Sequence, residues 1–252
     1  MRNKTIALFA LFIVAAFFLG YVSHAPQANG TAQFFYSTPP AIFAPASQPV
    51  RVVHLKLPAV DVEDKGALGD LTVEVAPGSG RLFLRFDENN PLVNPDTQSS
   101  LRTALDLVKK LTGNDLHDYD VFYGIETQSD VIGGQSAGAA LTVATMAAVK
   151  GDSLRGDTLI TGAVLGDGSL APVGRILAKA QAVKEAGYST LIVPKGEATQ
   201  VISDEVCRQH RTETAIVSEC TTQSKEVNVG EYVGLNVVEA DNVLEAYSLM
   251  TA

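Results

Sequence analysis

The chain has 252 residues, of which 46% are hydrophobic and 19% charged, a globular composition that excludes wholesale disorder. Lys and Arg number 19 against 28 Asp and Glu, a net charge of −9, and no Lys/Arg-rich run compensates, which argues against nucleic-acid binding. Two cysteines exclude a disulfide-rich scaffold and a four-cysteine zinc site, and no cofactor or metal is expected.

Residues 1–22 read as a transmembrane anchor or signal segment. Arg2 and Lys4 precede an apolar run from Ile6 to Val22, broken only by Gly20. The run is short for a membrane-spanning helix and slightly long for a signal peptide. Positive charge ahead of it predicts a cytoplasmic N-terminus and an extracytoplasmic body. Ser23-His24-Ala25 resembles a cleavage site, but Pro26 hinders cleavage there. A retained single-pass anchor in the cell membrane is therefore expected, with secretion after cleavage as the alternative. Residues 23–50 read as a Pro-rich tether, because five of the 11 prolines fall between Pro26 and Pro49. Phe34, Phe35, Tyr36 and Phe43 are unusual in a linker and suit packing on the domain or rest at the lipid interface. Asn29-Gly30-Thr31 fits the N-glycosylation pattern, a common tripeptide.

Residues 51–252 carry the pattern of one α/β domain of α+β type, with mixed sheets and packed helices. Val52–Leu57, Leu71–Val75 and Arg81–Phe86 read as strands, the last after the turn signal Pro77-Gly78-Ser79-Gly80. Leu101, Leu105, Val108 and Leu111 predict an amphipathic helix over Gln98–Leu111. A strand over Asp120–Ile125, a small-residue helix over Ser136–Lys150 and a strand over Thr158–Val164 follow. Then come a helix over Arg175–Ala186, strands at Thr190–Val193 and Leu235–Val238, and a helix over Asn242–Met250. Ser203–Glu231 is polar and reads as an inserted loop. Its Cys207 and Cys220 are expected to pair in an oxidising compartment, with two unrelated buried thiols as the alternative.

Two places suggest chemistry. In Gly133-Gly134-Gln135-Ser136-Ala137-Gly138 the glycines permit a tight turn, and Ser136 is expected at a helix start. Free N–H groups and the helix dipole there favour the oxyanion of acyl transfer. The same features suit a plain serine N-cap. Lys179 flanks the apolar stripe of Ile176, Ala180, Val183 and Gly187. A desolvated amine in that position loses basicity and can act as a general base; a lysine whose stem merely covers apolar surface gives the same pattern. The four histidines, His24, His54, His117 and His210, show no context for a Ser-His-Asp site.

Together these pieces resemble the proteolytic domain of the Lon protease family, whose members use a Ser–Lys dyad. The matching landmarks are Gly134-Gln135-Ser136-Ala137-Gly138, Thr161-Gly162, Pro172-Val173-Gly174, Lys179 and Leu191-Ile192-Val193-Pro194, with serine and lysine at the family's interval. Weaker similarity extends over essentially all of residues 51–252. The resemblance implies that Ser136 is the nucleophile, Lys179 the general base and Thr161 the hydroxyl that hydrogen-bonds the lysine, with Gly134, Gln135 and Ala137 in support. It also implies a polypeptide substrate, no cofactor, and a homo-oligomer, commonly a ring of six. The sequence contains no Gly-x-x-x-x-Gly-Lys-Ser/Thr phosphate loop, so an ATP-independent serine endopeptidase acting on unfolded or flexible polypeptides is expected. There are departures: Gln135 stands where many members have Pro or Asp, Ala163 where Glu is usual, and Arg175 replaces a Gly. They leave a second reading open, a catalytically silent scaffold or chaperone-like module on the same fold.

Overall fold

A computed structural model describes residues 50–85, 92–127, 131–211 and 216–251. The expected anchor, the tether up to residue 49, its aromatic residues and the glycosylation tripeptide lie outside the described residues. No helix among the described residues is long and apolar enough to cross a membrane.

Period-two alternation builds the first sheet. β1 (Arg51–Val60) buries Leu55 and Leu57, β2 (Gly66–Pro77) buries Leu71, Val73 and Val75, and β3 (Leu82–Leu84) is a short edge. β4 (Leu92–Val93) leads into α1 (Pro95–Thr112). This helix begins three residues before the expected Gln98. Asn94 caps it by accepting from the Thr97 N–H at 3.1 Å, and Pro95 supplies a preset first turn. Gly113, at φ 68°, ends it in the left-handed conformation that glycine adopts freely. β5 (Tyr119–Glu126) completes a four-stranded sheet of order β1-β2-β5-β3, antiparallel except where β3 runs beside β5.

β6 (Val131–Ile132) pairs in parallel with β4, which ties the loop after it to the start of α1. α2 (Gly138–Lys150) then runs through the core, buried on every side from Gly138 to Ala148. Its alanines and glycine let α1, β1 and β2 approach closely. Thr142 and Thr145 satisfy their hydroxyls on the carbonyls of Gly138 and Leu141, and Thr145 also bonds Tyr123 at 2.7 Å.

A second sheet is wholly parallel. β7 (Thr158–Ile160) is followed by a small antiparallel pair, β8 (Ala163–Val164) and β9 (Leu170–Ala171), and then by α3 (Ile176–Glu185). α3 is the crossover to β10 (Thr190–Pro194), whose Leu191, Ile192 and Val193 are fully buried, as a parallel strand covered on both faces requires. The strand expected over Thr158–Val164 is therefore broken. Thr161 continues the ladder by donating to the Ile192 carbonyl at 3.0 Å, but Gly162 turns its backbone groups toward the loop before α2.

The polar stretch expected to be a loop is a hairpin. β11 (Thr199–Arg211) and β12 (Ile216–Asn228) pair antiparallel over their whole length, largely exposed, with Cys207 directly opposite Cys220 and their sulfurs bonded. Two exposed faces leave no hydrophobic alternation to read. α4 (Val229–Val233) and β13 (Asn236–Ala240) return the chain to the parallel sheet, order β13-β10-β7, and α5 (Val243–Met250) closes the fold.

Candidate active site

The loop from Gly133 to Ala137 is braced from three sides. Thr97 on α1 donates its hydroxyl to the Gly134 carbonyl at 3.3 Å, and the Asn94 amide sits where a Cβ on Gly133 would be, 2.4 Å away. Gly134 takes φ 91°, open to glycine at no steric cost. From the other side Gly162 clamps the loop with two backbone bonds. Its N–H donates to the Ser136 carbonyl at 3.0 Å, and its carbonyl accepts from Ala139 at 2.9 Å.

That clamp explains where Ser136 lies. α2 starts at Gly138 with Ala137 as its N-cap, so Ser136 is one residue ahead of the cap and not the cap itself. Its carbonyl is occupied by Gly162, and the first intrahelical bond runs from Leu141 to Ala137 at 2.9 Å. Ser136 and Ala137 are half-buried, while Gly134 and Gln135 are exposed.

Lys179 reaches this loop from α3. The side chain is 3% exposed, and Nζ donates to Thr161 Oγ1 at 3.2 Å. Thr161, fully buried, donates the same hydroxyl to the Ser136 carbonyl at 3.4 Å. The lysine amine is thus two hydrogen bonds from the Ser136 backbone. Burial pushes the Lys179 amine down from the ordinary 10.5 to about 8, and the Glu197 carboxylate opposes that shift. Near neutrality a useful share of this amine is unprotonated, which is the state a general base needs.

Three contacts hold α3 in place. Gly66 on β2 lies so close to the helix that a Cβ there would be 2.0 Å from the Ala178 carbonyl oxygen. Gln200, at the root of the hairpin, accepts from the Leu177 N–H at 3.3 Å and fills the capping role that Arg175 leaves vacant. Arg175 itself has φ 63°, a left-handed conformation that costs a non-glycine residue about 1 kcal/mol. Its guanidinium forms two bonds to Asp64 at 2.8 and 2.5 Å, an exposed pair worth at most about 1 kcal/mol. A glycine would suit that backbone equally well.

The site lies at the carboxyl ends of β7 and β10, where Thr161 follows one strand and Pro194 ends the other. Open parallel sheets bind their ligands at this edge. Of the residues singled out from the sequence, the structure brings Ser136, Thr161 and Lys179 together, with Gly134, Gln135 and Ala137 in the same loop. Cys207 and Cys220 belong instead to the exposed hairpin. Glu205 lies near them, but two mutually bonded sulfurs offer no thiolate to a metal. Asn94, Thr97, Gly66, Gln200 and Glu197 were not singled out. Of these only Asn94-Pro95 carried a signal, the N-cap and first-turn proline of a helix.

Residues 108–230, which contain Ser136, Thr161 and Lys179, match the Lon protease (S16) C-terminal proteolytic domain. The chain is 26% identical over 146 residues to an archaeal Lon protease of Archaeoglobus fulgidus, a match covering 58% of this chain and 23% of that protein. It is 29% identical over 136 residues to a Lon protease of Halothermothrix orenii, covering 52% of this chain and 17% of that protein. A Thermoplasma acidophilum archaeal Lon protease is 30% identical over 96 residues, 38% of this chain and 15% of its own length. Less than a quarter of each relative is therefore represented here.

Proposed function

Because this chain carries a proteolytic domain of the Lon protease family, we propose that it is a serine endopeptidase working through Ser136 as nucleophile and Lys179 as general base. The observation that carries this reading is the buried Lys179 amine, hydrogen-bonded to Thr161, whose hydroxyl bonds the Ser136 carbonyl in turn. In the proposed reaction neutral Nζ takes the proton from Ser136 Oγ as that oxygen attacks the peptide carbonyl carbon. Backbone N–H groups at Ser136 and Ala137, at the approach to α2, hold the oxyanion. The tetrahedral intermediate expels the amine, which receives the proton from the Lys179 ammonium. Water then attacks the acyl-enzyme with Lys179 again as base, and Ser136 Oγ regains its proton. Thr161 orients the amine throughout.

With no phosphate loop in the 252 residues, the chain does not itself couple cleavage to ATP, and its substrates are unfolded or flexible polypeptides. The same reading has residues 1–22 anchoring the domain on the outer side of a membrane and copies of the domain assembling with one another. The test is cleavage of a flexible, quenched-fluorescent peptide. Ser136→Ala and Lys179→Ala should each abolish turnover without loss of circular-dichroism signal. Wild-type turnover should rise between pH 6 and 9, as the amine with a pKa of about 8 deprotonates. Turnover at the wild-type rate in either variant refutes the dyad, and an inert Ser136 would leave the scaffold reading standing.

A further inference from the structure

From Gly134 to Ala137 every carbonyl accepts a hydrogen bond, while the N–H groups of Gln135, Ser136 and Ala137 donate to no acceptor among the described residues. Gln135 and Gly138 close a turn, the Gly138 N–H donating to the Gln135 carbonyl at 3.0 Å. Ala137 takes φ −81° and ψ −10°, as the third residue of a type I turn does. The Ser136 carbonyl accepts from Gly162 and from the Thr161 hydroxyl, and the Ala137 carbonyl from Leu141. Ahead of the turn, the Gly134 carbonyl accepts from Thr97 Oγ1 at 3.3 Å. In a trans peptide the N–H points opposite to the carbonyl before it, so each pinned carbonyl aims the next N–H. Thr97 thereby turns the Gln135 N–H away from α1, and Gly162 turns the Ala137 N–H away from its own side of the loop.

We propose, resting on the Ser–Lys reading, that Thr97 is a positioning residue for the reaction: its hydroxyl holds the Gly134–Gln135 peptide plane, and with it the turn whose N–H groups receive the oxyanion. Downstream of Ser136 the loop is fixed by backbone bonds to Gly162 and Leu141. Its entrance is different. Gly133 and Gly134 are exposed, and Gly134 sits at φ 91° with nothing within 4 Å of where a Cβ would lie. Glycine lets such a plane rotate at little cost. Among the described residues, the Thr97 hydroxyl is the group that bonds the Gly134 carbonyl and opposes this rotation. Thr97 is itself well held: it is fully buried in the first turn of α1, and its N–H donates to the Asn94 side chain at 3.1 Å. The Asn94 amide in turn fills the space beside Gly133. A hydroxyl placed from a packed helix is more precise than one placed from a loop. Misaimed donors cost the reaction when charge develops on the carbonyl oxygen, so the loss falls on the chemical step and not on substrate binding.

The experiment compares the full chain as wild type, Thr97→Val, Thr97→Ser and Thr97→Ala on the quenched-fluorescent peptide. Each is also inhibited with a boronic acid built on the same peptide, which forms a tetrahedral adduct on Ser136 Oγ. Thr97→Val keeps the shape of the side chain and loses the hydroxyl. Its kcat should fall at least about tenfold with KM changed by less than about twofold, and the boronate Ki should rise by the same factor as kcat falls. Thr97→Ser should recover most of the rate. Serine and alanine differ by the hydroxyl alone, so this pair carries the comparison if a urea melt shows that valine weakens the fold. Wild-type kcat in Thr97→Val, a loss that falls on KM alone, or a serine variant as slow as the alanine variant overturns the proposal. Failure of the dyad is read separately, from peptide cleavage surviving Ser136→Ala; an inert Ser136→Ala beside a fully active Thr97→Val overturns the role of Thr97 alone.

Discussion

Replacing Lys179 with methionine should make the domain more stable at neutral pH even as it removes the base. Burial lowers the amine from 10.5 to about 8, and at 1.36 kcal/mol per pH unit the protonated form costs the fold about 3 kcal/mol. Methionine keeps most of the apolar stem and loses one hydrogen bond to Thr161, worth about 1 kcal/mol. The net gain below pH 8 is about 2 kcal/mol, a rise in Tm of about 4–8 °C for a domain of this size. The folded-state pKa lies below the unfolded one. Between about pH 8 and 10.5 the unfolded chain therefore holds the proton that the native chain has released, and wild-type stability rises with pH. The advantage of methionine should shrink across that window and reverse above it, when both states are neutral and the lost Thr161 hydrogen bond leaves wild type ahead by about 1 kcal/mol. Urea denaturation of the two proteins at intervals from pH 7 to 10.5 measures the difference and cancels every other titrating group. A gap that stays constant with pH, or a methionine variant less stable at pH 7, refutes the buried-amine argument.

Thr161→Val removes the hydroxyl between Lys179 and the Ser136 carbonyl at nearly constant volume; peptide turnover should fall at least tenfold while Thr161→Ser retains most of it. Gly66→Ala drives a methyl into the Ala178 carbonyl; it should cost at least about 2 kcal/mol in a melt and depress turnover more than Val183→Ala, a truncation of a fully buried residue on the same helix α3. Reducing the Cys207–Cys220 bond, or replacing both residues with serine, frees a loop worth about 3 kcal/mol of closure entropy. Hydrogen exchange should quicken in the outer halves of β11 and β12, with the parallel sheet unchanged.

The β1–β2–β5 sheet was legible because one face is buried and one is not, so hydrophobic alternation marks it. The Lys179 helix was legible from the stripe of Ile176, Ala180 and Val183, all fully buried. The hairpin was not, because a ribbon exposed on both faces has no buried side to pattern its residues. Ser136 lies one residue ahead of the N-cap for a long-range reason, its carbonyl being held by Gly162, and no local propensity encodes that bond. Gly66 shares this character: what matters there is the neighbour that the fold brings against it, the Ala178 carbonyl.

Covalent labelling of Ser136 tests the central claim most directly. The full chain is treated with a fluorophosphonate at a series of pH values, and the adduct is located by peptide mass spectrometry. A single modified residue at Ser136 is predicted, forming at a rate that climbs through about pH 8 in wild type and collapses in Lys179→Met. A folded protein in which Ser136 stays unmodified, or is modified equally fast without the lysine, would contradict the account.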